Sequence, residues 1–562
     1  MRHRGSMCVV IAAVVAMLVA GCASIPSSGG VHRGGPVTQV NDPLDLDFNP
    51  APPEKDATPE RIVQGFINAA SSPKNNYQIA REYLTRTLTA TWNPDASVTI
   101  DDGRNRTYSH QGNYWNLATD PLATVDSQGS YSTALSSTPI ALNYQLTQQD
   151  GQWRISTAPD GILIDSLTFQ AVFSQQTLYF YSLDSTYLVP DVRWFPARVA
   201  SEATRIVAAV LSGPAPWLTG AVINAFPVGT QLAVPSVITT NGVAQVNLST
   251  EATRASSIQL QRMQWELQKS LNGIAQSVAV SIEGNEQQIS QLTGDGVPQQ
   301  DPQISANPIV SRGGSFGLVN GSTISDFPGI SQHIVALQPS AVTINAARDQ
   351  AAVFSRGIVY LVTRTADPVA VDSRPGLIAP SFDNQGFVWS VPANDPGALQ
   401  VASARSGAHQ IATAWPTAAT ISAFAVSRDG TRLAAVIASS AGNLLALSGI
   451  IRDGSGSPTG IVKPLLIPLG SGAPSSLTWS DDVTVDVLTS LANGATSISS
   501  QTIGGQSTIV TGPSDGQQIV GAGSSVQYYV LSAGGLLQSP AGIGWQTQLN
   551  NVSAVAAQLG QP

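Results

Sequence analysis

The chain is poor in cysteine, histidine and charged residues. Its 562 residues include only two cysteines, and the five histidines are scattered. Zinc sites need three or four clustered ligands, so we predict no metal site. No phosphate-binding loop is present, and we predict no cofactor. Charged residues are 11%, with 27 Lys and Arg against 36 Asp and Glu, which argues against nucleic acid as a partner.

Long hydrophobic runs are missing after the N-terminus. Residues 7–20 form an uncharged apolar run behind Arg2 and Arg4, too short for a membrane span of about 20 residues and typical of a secretory signal. The run ends on Val-Ala-Gly before Cys22, which resembles the lipobox of bacterial lipoproteins. That resemblance implies removal of residues 1–21 and an S-diacylglyceryl and N-acyl group on Cys22. The alternative is an ordinary secreted protein with an accidental cysteine.

The predicted lipid sets the expected location. Acyl chains contribute about 0.8 kcal/mol per buried methylene, so two chains give stable anchoring where one would be marginal. We therefore expect the mature chain on the extracytoplasmic face of the plasma membrane. Loss of two arginines with the signal changes the net charge from -9 to -11. Residues 22–57, rich in Pro and Gly, are predicted to be a tether.

Residues 58–165 are predicted to form a first α+β domain. Thr58 precedes Pro59 and an apolar stripe at helical spacing, which is typical of a capped helix. A second helix is predicted over residues 77–88. Short alternating strands follow, with an Asp150-Gly151 pair that favours a hairpin. Two helices ahead of a curled sheet resemble the NTF2-like α+β fold, which often holds a pocket.

Residues 166–290 are predicted to form a second α+β domain. A helix over residues 202–211 stops at Gly213-Pro214. A Pro-x-Gly-Thr turn at 227–230 and a Val-Asn-Leu-Ser strand at 246–249 come next, before a long helix and a closing strand. This order resembles the GerMN module of sporulation and germination lipoproteins. That family implies no catalytic residue.

After a predicted linker, residues 291–308, the chain becomes repetitive up to residue 562. Turns that contain aspartate lead into apolar strands at spacings of 34, 46 and 52 residues. These spacings are near the period of about 40–50 residues that is typical of propeller blades, and residues 309–562 are predicted to form a β-propeller of about six blades, within a range of five to seven. An irregular β-sandwich is the alternative. The repeated aspartates are Asp349, Asp383, Asp429 and Asp481.

One hydrolase-like motif is present. Gly313, Ser315 and Gly317 match the G-x-S-x-G pattern of nucleophile elbows, which requires a strand, a sharp turn and a helix. A short strand and another turn follow the serine instead. We therefore predict no catalytic residue and no enzyme activity. An envelope hydrolase that uses Ser315 is the least favoured alternative.

The predicted fold class is multidomain, with two small α+β domains followed by an all-β propeller. With the lipobox and tether, this order resembles the LpqB-type lipoproteins of actinobacteria. The resemblance implies an accessory lipoprotein of the cell envelope that binds the extracytoplasmic sensor domain of the MtrB histidine kinase. It would modulate MtrA-MtrB two-component signalling in division and cell-wall homeostasis. The resemblance names no partner-binding residue.

A wall-polymer or solute-binding lipoprotein is the alternative function. Peptidoglycan or a smaller solute would occupy the pocket of the first domain or stack on aromatic side chains. Tryptophans in the repeats could hold sugar rings, although packing between blades is their commoner role. The three candidates are Trp389, Trp479 and Trp545.

Overall fold

A computed structural model describes residues 49–416, 420–440, 442–523 and 527–561. The predicted signal, Cys22 and most of the predicted tether lie outside these ranges. The fold below therefore concerns the predicted domains and the linker.

The first helix, α1 (Pro59–Ala70), begins where the sequence predicts. Thr58 Oγ1 accepts a hydrogen bond from the Arg61 amide at 3.4 Å, and the proline occupies the first turn, where an amide would be unpaired. The apolar stripe is buried, and burial of each large side chain stabilises the fold by about 1.5–3 kcal/mol. It contains Ile62, Val63, Phe66 and Ile67. The predicted amphipathic helix is confirmed.

The predicted continuous helix over residues 77–88 is wrong. The chain forms two short helices, α2 (Gln78–Arg81) and α3 (Arg86–Thr91). Between them, Leu84 forms an isolated β-bridge with Ile155, and the Thr85 amide donates to the Ile155 carbonyl at 2.9 Å. Thr85 Oγ1 then accepts from the Leu88 amide at 3.3 Å and caps α3. A long-range contact thus overrides the local helical pattern.

Two four-stranded sheets complete the N-terminal module. Their strands are β1 (Ser97–Asp101), β2 (Thr107–Gln111), β3 (Tyr114–Thr119), β4 (Ala123–Asp126), β5 (Tyr131–Thr133), β6 (Ile140–Gln149), β7 (Gln152–Thr157) and β8 (Ile162–Asp165). The orders are β5-β4-β1-β8 and β2-β3-β6-β7, with β1 and β8 parallel. Asp150 and Gly151 both have positive φ, 55° and 72°, as a tight hairpin turn requires, so the predicted hairpin is confirmed.

The second module has two smaller sheets and two principal helices. Its elements are α4 (Ser166–Val172), β9 (Phe173–Ser182), β10 (Leu188–Pro196), α5 (Glu202–Ser212), β11 (Val222–Ile223), β12 (Ile238–Thr240), β13 (Val243–Leu248), α6 (Ser257–Ser270), β14 (Ser277–Ile282) and β15 (Asn285–Glu286). The sheet orders are β10-β9-β11 and β12-β13-β14-β15, with β13 and β14 parallel. Gly213 ends α5 with φ 95°, so the predicted helix and its stop are confirmed.

The C-terminal region is built almost entirely of strands. Its described residues also include the short α-helix α7 (Ser331–Leu337) and a single 3-10 turn at Pro396–Ala398. The strands are β16 (Ile309–Arg312), β17 (Ser315–Asn320), β18 (Thr323–Asp326), β19 (Ala341–Ile344), β20 (Gln350–Ser355), β21 (Ile358–Thr363), β22 (Val369–Asp372), β23 (Ser381–Phe382), β24 (Phe387–Ser390), β25 (Gln400–Ser403), β26 (His409–Gln410), β27 (Thr420–Val426), β28 (Arg432–Ser439), β29 (Gly442–Arg452), β30 (Pro458–Ile461), β31 (Leu465–Pro468), β32 (Ala473–Trp479), β33 (Thr484–Ser490), β34 (Thr496–Thr502), β35 (Ser507–Thr511), β36 (Gly516–Gly521), β37 (Tyr528–Ser532), β38 (Leu537–Ala541), β39 (Gly544–Leu549) and β40 (Val552–Gln558).

These strands form sheets that follow one another along the chain, and the paired strands are antiparallel except for β19 and β40, which are parallel. The orders are β23-β24-β25-β26, β27-β28-β29-β30 with β31 beside β29, β32-β33-β34-β35 and β36-β37-β38-β39. An eight-stranded sheet, β18-β17-β16-β40-β19-β20-β21-β22, joins the last strand to the beginning of the region. The two predicted α+β domains and the all-β C-terminal region are confirmed. The number of six blades stays a prediction.

The first strands of neighbouring sheets contact one another. Ser381 Oγ accepts from the Val426 amide at 3.0 Å, which links β23 to β27. Thr478 Oγ1 accepts from the Gly521 amide at 2.7 Å, which links β32 to β36. Together these first strands line a cavity of about 410 Å³. The arrangement is propeller-like.

The repeated aspartates occupy equivalent places. Each lies in the turn between the first and second strands of a four-strand unit, as the spacing predicts. Three of them accept a hydrogen bond from the backbone amide two residues later in the chain, and this bond stabilises the turn. These bonds are Gln385 N to Asp383 at 3.0 Å, Thr431 N to Asp429 at 2.8 Å and Val483 N to Asp481 at 2.8 Å.

Candidate binding sites

The hydrolase-like serine lies in a β-hairpin. Gly313 and Gly314 form the turn with positive φ, 58° and 80°, and Ser315 begins β17 opposite Arg312. A nucleophile elbow requires a helix after the serine, whereas here a strand follows. The motif therefore lacks the geometry that would activate Ser315.

The three candidate tryptophans are not alike. Trp389 is fully buried and its Nε1 donates to Asp383 Oδ2 at 3.1 Å. Trp479 is also buried and donates to the Ala425 carbonyl at 3.1 Å. Trp545 is half-buried and donates to the Thr511 carbonyl at 3.0 Å. Neither of the first two can present a ring face to a sugar, because both are packed between strands.

Buried charge is concentrated where the second module meets the C-terminal sheets. Asp429 accepts hydrogen bonds from Ser427 and Thr431 and forms an ion pair with Arg432, and both charged side chains are almost inaccessible. The Arg432 guanidinium carbon lies 4.9 Å from the centre of the Trp479 ring. Burial alone would raise the pKa of Asp429, but Arg432 and these hydrogen bonds lower it.

A second arginine joins the linker to this region. Arg428 donates to the carbonyls of Trp479 and Ser480 at 2.9 and 2.7 Å, and it lies 3.8 Å from Asp301 of the linker. Burial and the carboxylate of Asp301 raise the pKa of nearby Asp482 to about 7, although Arg432 opposes the shift. Within the described residues, no cluster of His, Cys, Asp and Glu is arranged to hold a metal ion.

The second module and the C-terminal sheets share one hydrophobic core. The cluster that contains Val207 and Leu267 continues to Leu447 and Val485 without a break. Trp194 Nε1 donates to the Gly504 carbonyl at 2.8 Å across the junction. Gly504 has φ 69°, and a Cβ there would lie 2.7 Å from the Val192 carbonyl, so the close approach requires glycine.

The N-terminal and second modules are joined by polar contacts. Arg205 pairs with Asp95 at 2.8 Å, and Arg193 Nη1 donates to the Gln128 carbonyl at 2.9 Å. The three parts of the described chain are therefore held together by packing and by directional bonds. An apolar contact of this extent between domains restricts their relative motion.

The repeat spacing singled out Asp429 and Asp481 at this junction, but it did not single out Asp301, Asp482 or the two arginines. Arg428 and Arg432 stand in the same Ser-Arg-Asp-Gly-Thr-Arg repeat as Asp429, at residues 427–432. The signal was present, because two arginines in a chain with so few charges are unusual inside a β-turn repeat. Arg432 pairs with Asp429 three residues before it, but the partners of Arg428 are distant in sequence, as with Trp479 and Asp301.

The fold thus defines a multidomain protein in which two α+β modules precede a propeller-like region. Three family models match the chain in that order. The N-terminal domain of lipoprotein LpqB matches residues 52–170, a domain described as sporulation and spore germination matches 177–288, and the LpqB beta-propeller domain matches 314–556. The chain belongs to the LpqB family of lipoproteins. None of these three models is named for an enzyme.

Curated relatives agree with the models. Lipoprotein LpqB of Streptomyces coelicolor is 27% identical over 87% of this chain and 86% of its own length. Lipoprotein LpqB of Bifidobacterium longum is 27% identical over 78% of this chain and 77% of its own length. That of Cutibacterium acnes is 32% identical over a shorter stretch, 47% of this chain and 44% of its own. These relatives are all named as lipoproteins.

A solved structure described as TolB from Agrobacterium tumefaciens is 12% identical and covers 38% of this chain and 84% of its own, with a TM-score of 0.28. That score is too low to support a conclusion. In the part of the chain that the structure describes, we find no helix with the length and apolar character needed to cross a bilayer.

Proposed function

We propose that this chain is anchored by lipid at Cys22 on the outer face of the plasma membrane. There it binds the extracytoplasmic sensor domain of the MtrB histidine kinase and modulates MtrA-MtrB signalling. The observation that supports this function best is the match of all three family models, in order, to modules that share contacts and a core. A rigid assembly loses little conformational entropy when it binds another protein.

Membrane anchoring would strengthen such binding. A lipid on Cys22 and the membrane segments of a kinase would confine both partners to one plane. Confinement raises their effective concentration without any new contact. A modest affinity between the two proteins would then be sufficient for occupancy.

The second module and the C-terminal region each offer exposed apolar side chains that a partner could cover. Leu167 on α4 is 77% exposed, Val228 in the Pro-x-Gly-Thr turn is 92% exposed, and Ile543 between β38 and β39 is fully exposed. Apolar side chains at such positions lower the free energy of an interface when it removes them from water. They provide two probes for the second module and one for the C-terminal region.

The direct test is binding of the purified mature chain to the outer domain of the kinase, by calorimetry. We expect a saturable one-to-one interaction. No heat and no co-elution with a chain that retains its thermal midpoint would contradict the proposal. Kinase autophosphorylation in vesicles, with the lipidated chain and with Cys22→Ala, then measures the effect on signalling.

The variants Leu167→Asp, Val228→Asp and Ile543→Asp test whether the second module or the C-terminal region makes the contact. Because these side chains are already in water, the folded state should tolerate the charge. We expect one variant to weaken binding at least tenfold and the other two to serve as its matched controls. Equal affinity for all three would place the interface away from these side chains.

A further inference from the structure

The N-terminal module carries a cleft of about 450 Å³ on the sheet β2-β3-β6-β7. Strand alternation directs one set of side chains away from the module core and into this cleft. The set includes Ser109, Gln111, Tyr114, Asn116, Asn143 and Gln145. None of the described residues that line the cleft is Asp, Glu, Lys or Arg. The size is typical of sites for small ligands.

Tyr114 supplies an exposed ring at the cleft. It is 63% exposed, which is uncommon for a large aromatic side chain on a sheet. Its hydroxyl accepts a hydrogen bond from Gln145 Nε2 at 3.3 Å, and the two residues are direct cross-strand neighbours. The ring is thus oriented while its face remains available to an apolar surface.

Two amides stand beside this ring. Asn116 Nδ2 donates to Asn143 Oδ1 at 2.8 Å across β3 and β6. This bond orients both side chains. Each amide carries two N–H groups and one carbonyl oxygen, so the pair keeps further donors and acceptors for a ligand. Neighbouring donors and acceptors match the vicinal hydroxyls of a sugar.

We propose that this cleft binds an uncharged glycan chain, with the Tyr114 ring against the C–H face of a sugar and the Asn116-Asn143 pair on its hydroxyls. The lining chemistry favours this ligand over others. A phosphate or a carboxylate-bearing ligand would need a cationic partner, and a cationic ligand would need a carboxylate. The described lining contains no carboxylate, Lys or Arg, and its single imidazole is that of His110, which stacks on Trp115. The cleft otherwise combines an aromatic face with uncharged hydrogen-bonding groups.

The test uses the full mature chain and tetra-N-acetylchitotetraose, a neutral probe, in saturation-transfer NMR and calorimetry. A hyaluronan tetrasaccharide of similar size is the anionic comparison. We expect binding of the neutral probe and at least tenfold weaker binding of the anionic one. Tyr114→Ala should weaken binding at least tenfold, and Tyr114→Phe less than threefold because the ring remains. Ile238→Ala, at a side chain of equal exposure in the second module, should have no effect.

Absence of neutral-glycan binding, equal affinity for the anionic glycan, or full affinity in Tyr114→Ala would each overturn the proposal. If Tyr114→Ala shifts the thermal midpoint, Asn143→Ala becomes the deciding variant. A fivefold or greater loss there supports the site, and no loss overturns it. Kinase binding is measured separately, so either result can fail while the other stands.

Discussion

At the junction around Asp429, charged side chains are buried in pairs, whereas the cleft sheet of the N-terminal module presents neutral amides and hydroxyls to water. A buried charge is tolerated only when a partner compensates the lost hydration. An exposed amide carries no such penalty, because water satisfies it until a ligand arrives. The chain therefore uses several of its few charges to hold its parts together and leaves uncharged groups at the surface proposed for recognition.

The largest expected effect comes from breaking a buried pair. Arg432→Ala leaves Asp429 charged, buried and without its ion partner, and we expect a loss of about 3–5 kcal/mol in the free energy of unfolding. Urea denaturation followed by tryptophan fluorescence measures it. Arg86→Ala is the matched control, since Arg86 pairs with Asp150 at 2.7 Å with both side chains more than 70% exposed. For Arg86→Ala we expect the free energy of unfolding to fall by less than about 1 kcal/mol. Similar losses in both variants would contradict the comparison.

A smaller effect is expected from removing one donor at a buried carboxylate. Trp389→Phe keeps an aromatic ring but deletes the bond to Asp383 Oδ2, which then keeps only Arg452 at 2.7 Å as a partner. We expect a loss of about 1–3 kcal/mol, measured by the same denaturation. Trp545→Phe deletes a comparable bond at a half-buried position and should cost less. A larger loss at Trp545 would show that burial does not set the cost.

The junction should also respond to pH through Asp482. Because its pKa is raised to about 7, the folded state holds a proton that the unfolded state releases near pH 4. Its contribution to stability is therefore complete below pH 4 and is lost as pH rises to about 7. Asp482→Asn mimics the protonated form, so we expect it to match the wild type at pH 4 and to be more stable, on the order of 1 kcal/mol, at pH 8.

Asp372 provides a control of opposite sign. Burial alone would raise the pKa of Asp372, but hydrogen bonds from Arg374 and Ser390 lower it. The ionised Asp372 therefore stabilises the folded state above pH 4, and this stabilisation is lost as the pH falls below 4. Asp372→Asn should therefore be destabilised at pH 8. Thermal midpoints at pH 4 and pH 8 test both variants, and the same sign for both would contradict the assignments.

The smallest effect is expected at the cleft. Asn116→Ala removes an amide that is accessible to water, and we expect the free energy of unfolding to change by less than about 0.5 kcal/mol. Denaturation of the variant measures this directly. A loss comparable to that of Trp389→Phe would mean that the amide pair is structural, and it would weaken the contrast with the junction.

Local elements were predictable where a short stretch carries the whole signal. The capped helix after Thr58, the Asp150-Gly151 hairpin and the aspartate turns depend on neighbouring residues alone. The helix predicted over residues 77–88 was wrong because Leu84 pairs with Ile155, which is distant in sequence. The G-x-S-x-G pattern falls in a hairpin, in which Ser315 lies opposite Arg312.

The candidate sites were less predictable. The cleft forms only when strands β2, β3 and β6 pair in register. This pairing places Asn116 beside Asn143, which is 27 residues later in the chain. No local pattern in the printed sequence distinguishes these asparagines from any exposed pair. The proposed lipid at Cys22 is the opposite case, because its whole signal lies in the adjoining residues.

The order of the modules, the capped first helix and the recurring turns can be read from the printed residues, because each depends on composition or on neighbours a few residues apart. Which charges are buried with partners, and which polar side chains remain in water, follows from the folded chain. Burial and pairing depend on residues such as Arg428 and Asp301, which are 127 positions apart and meet only when the linker packs against the sheets.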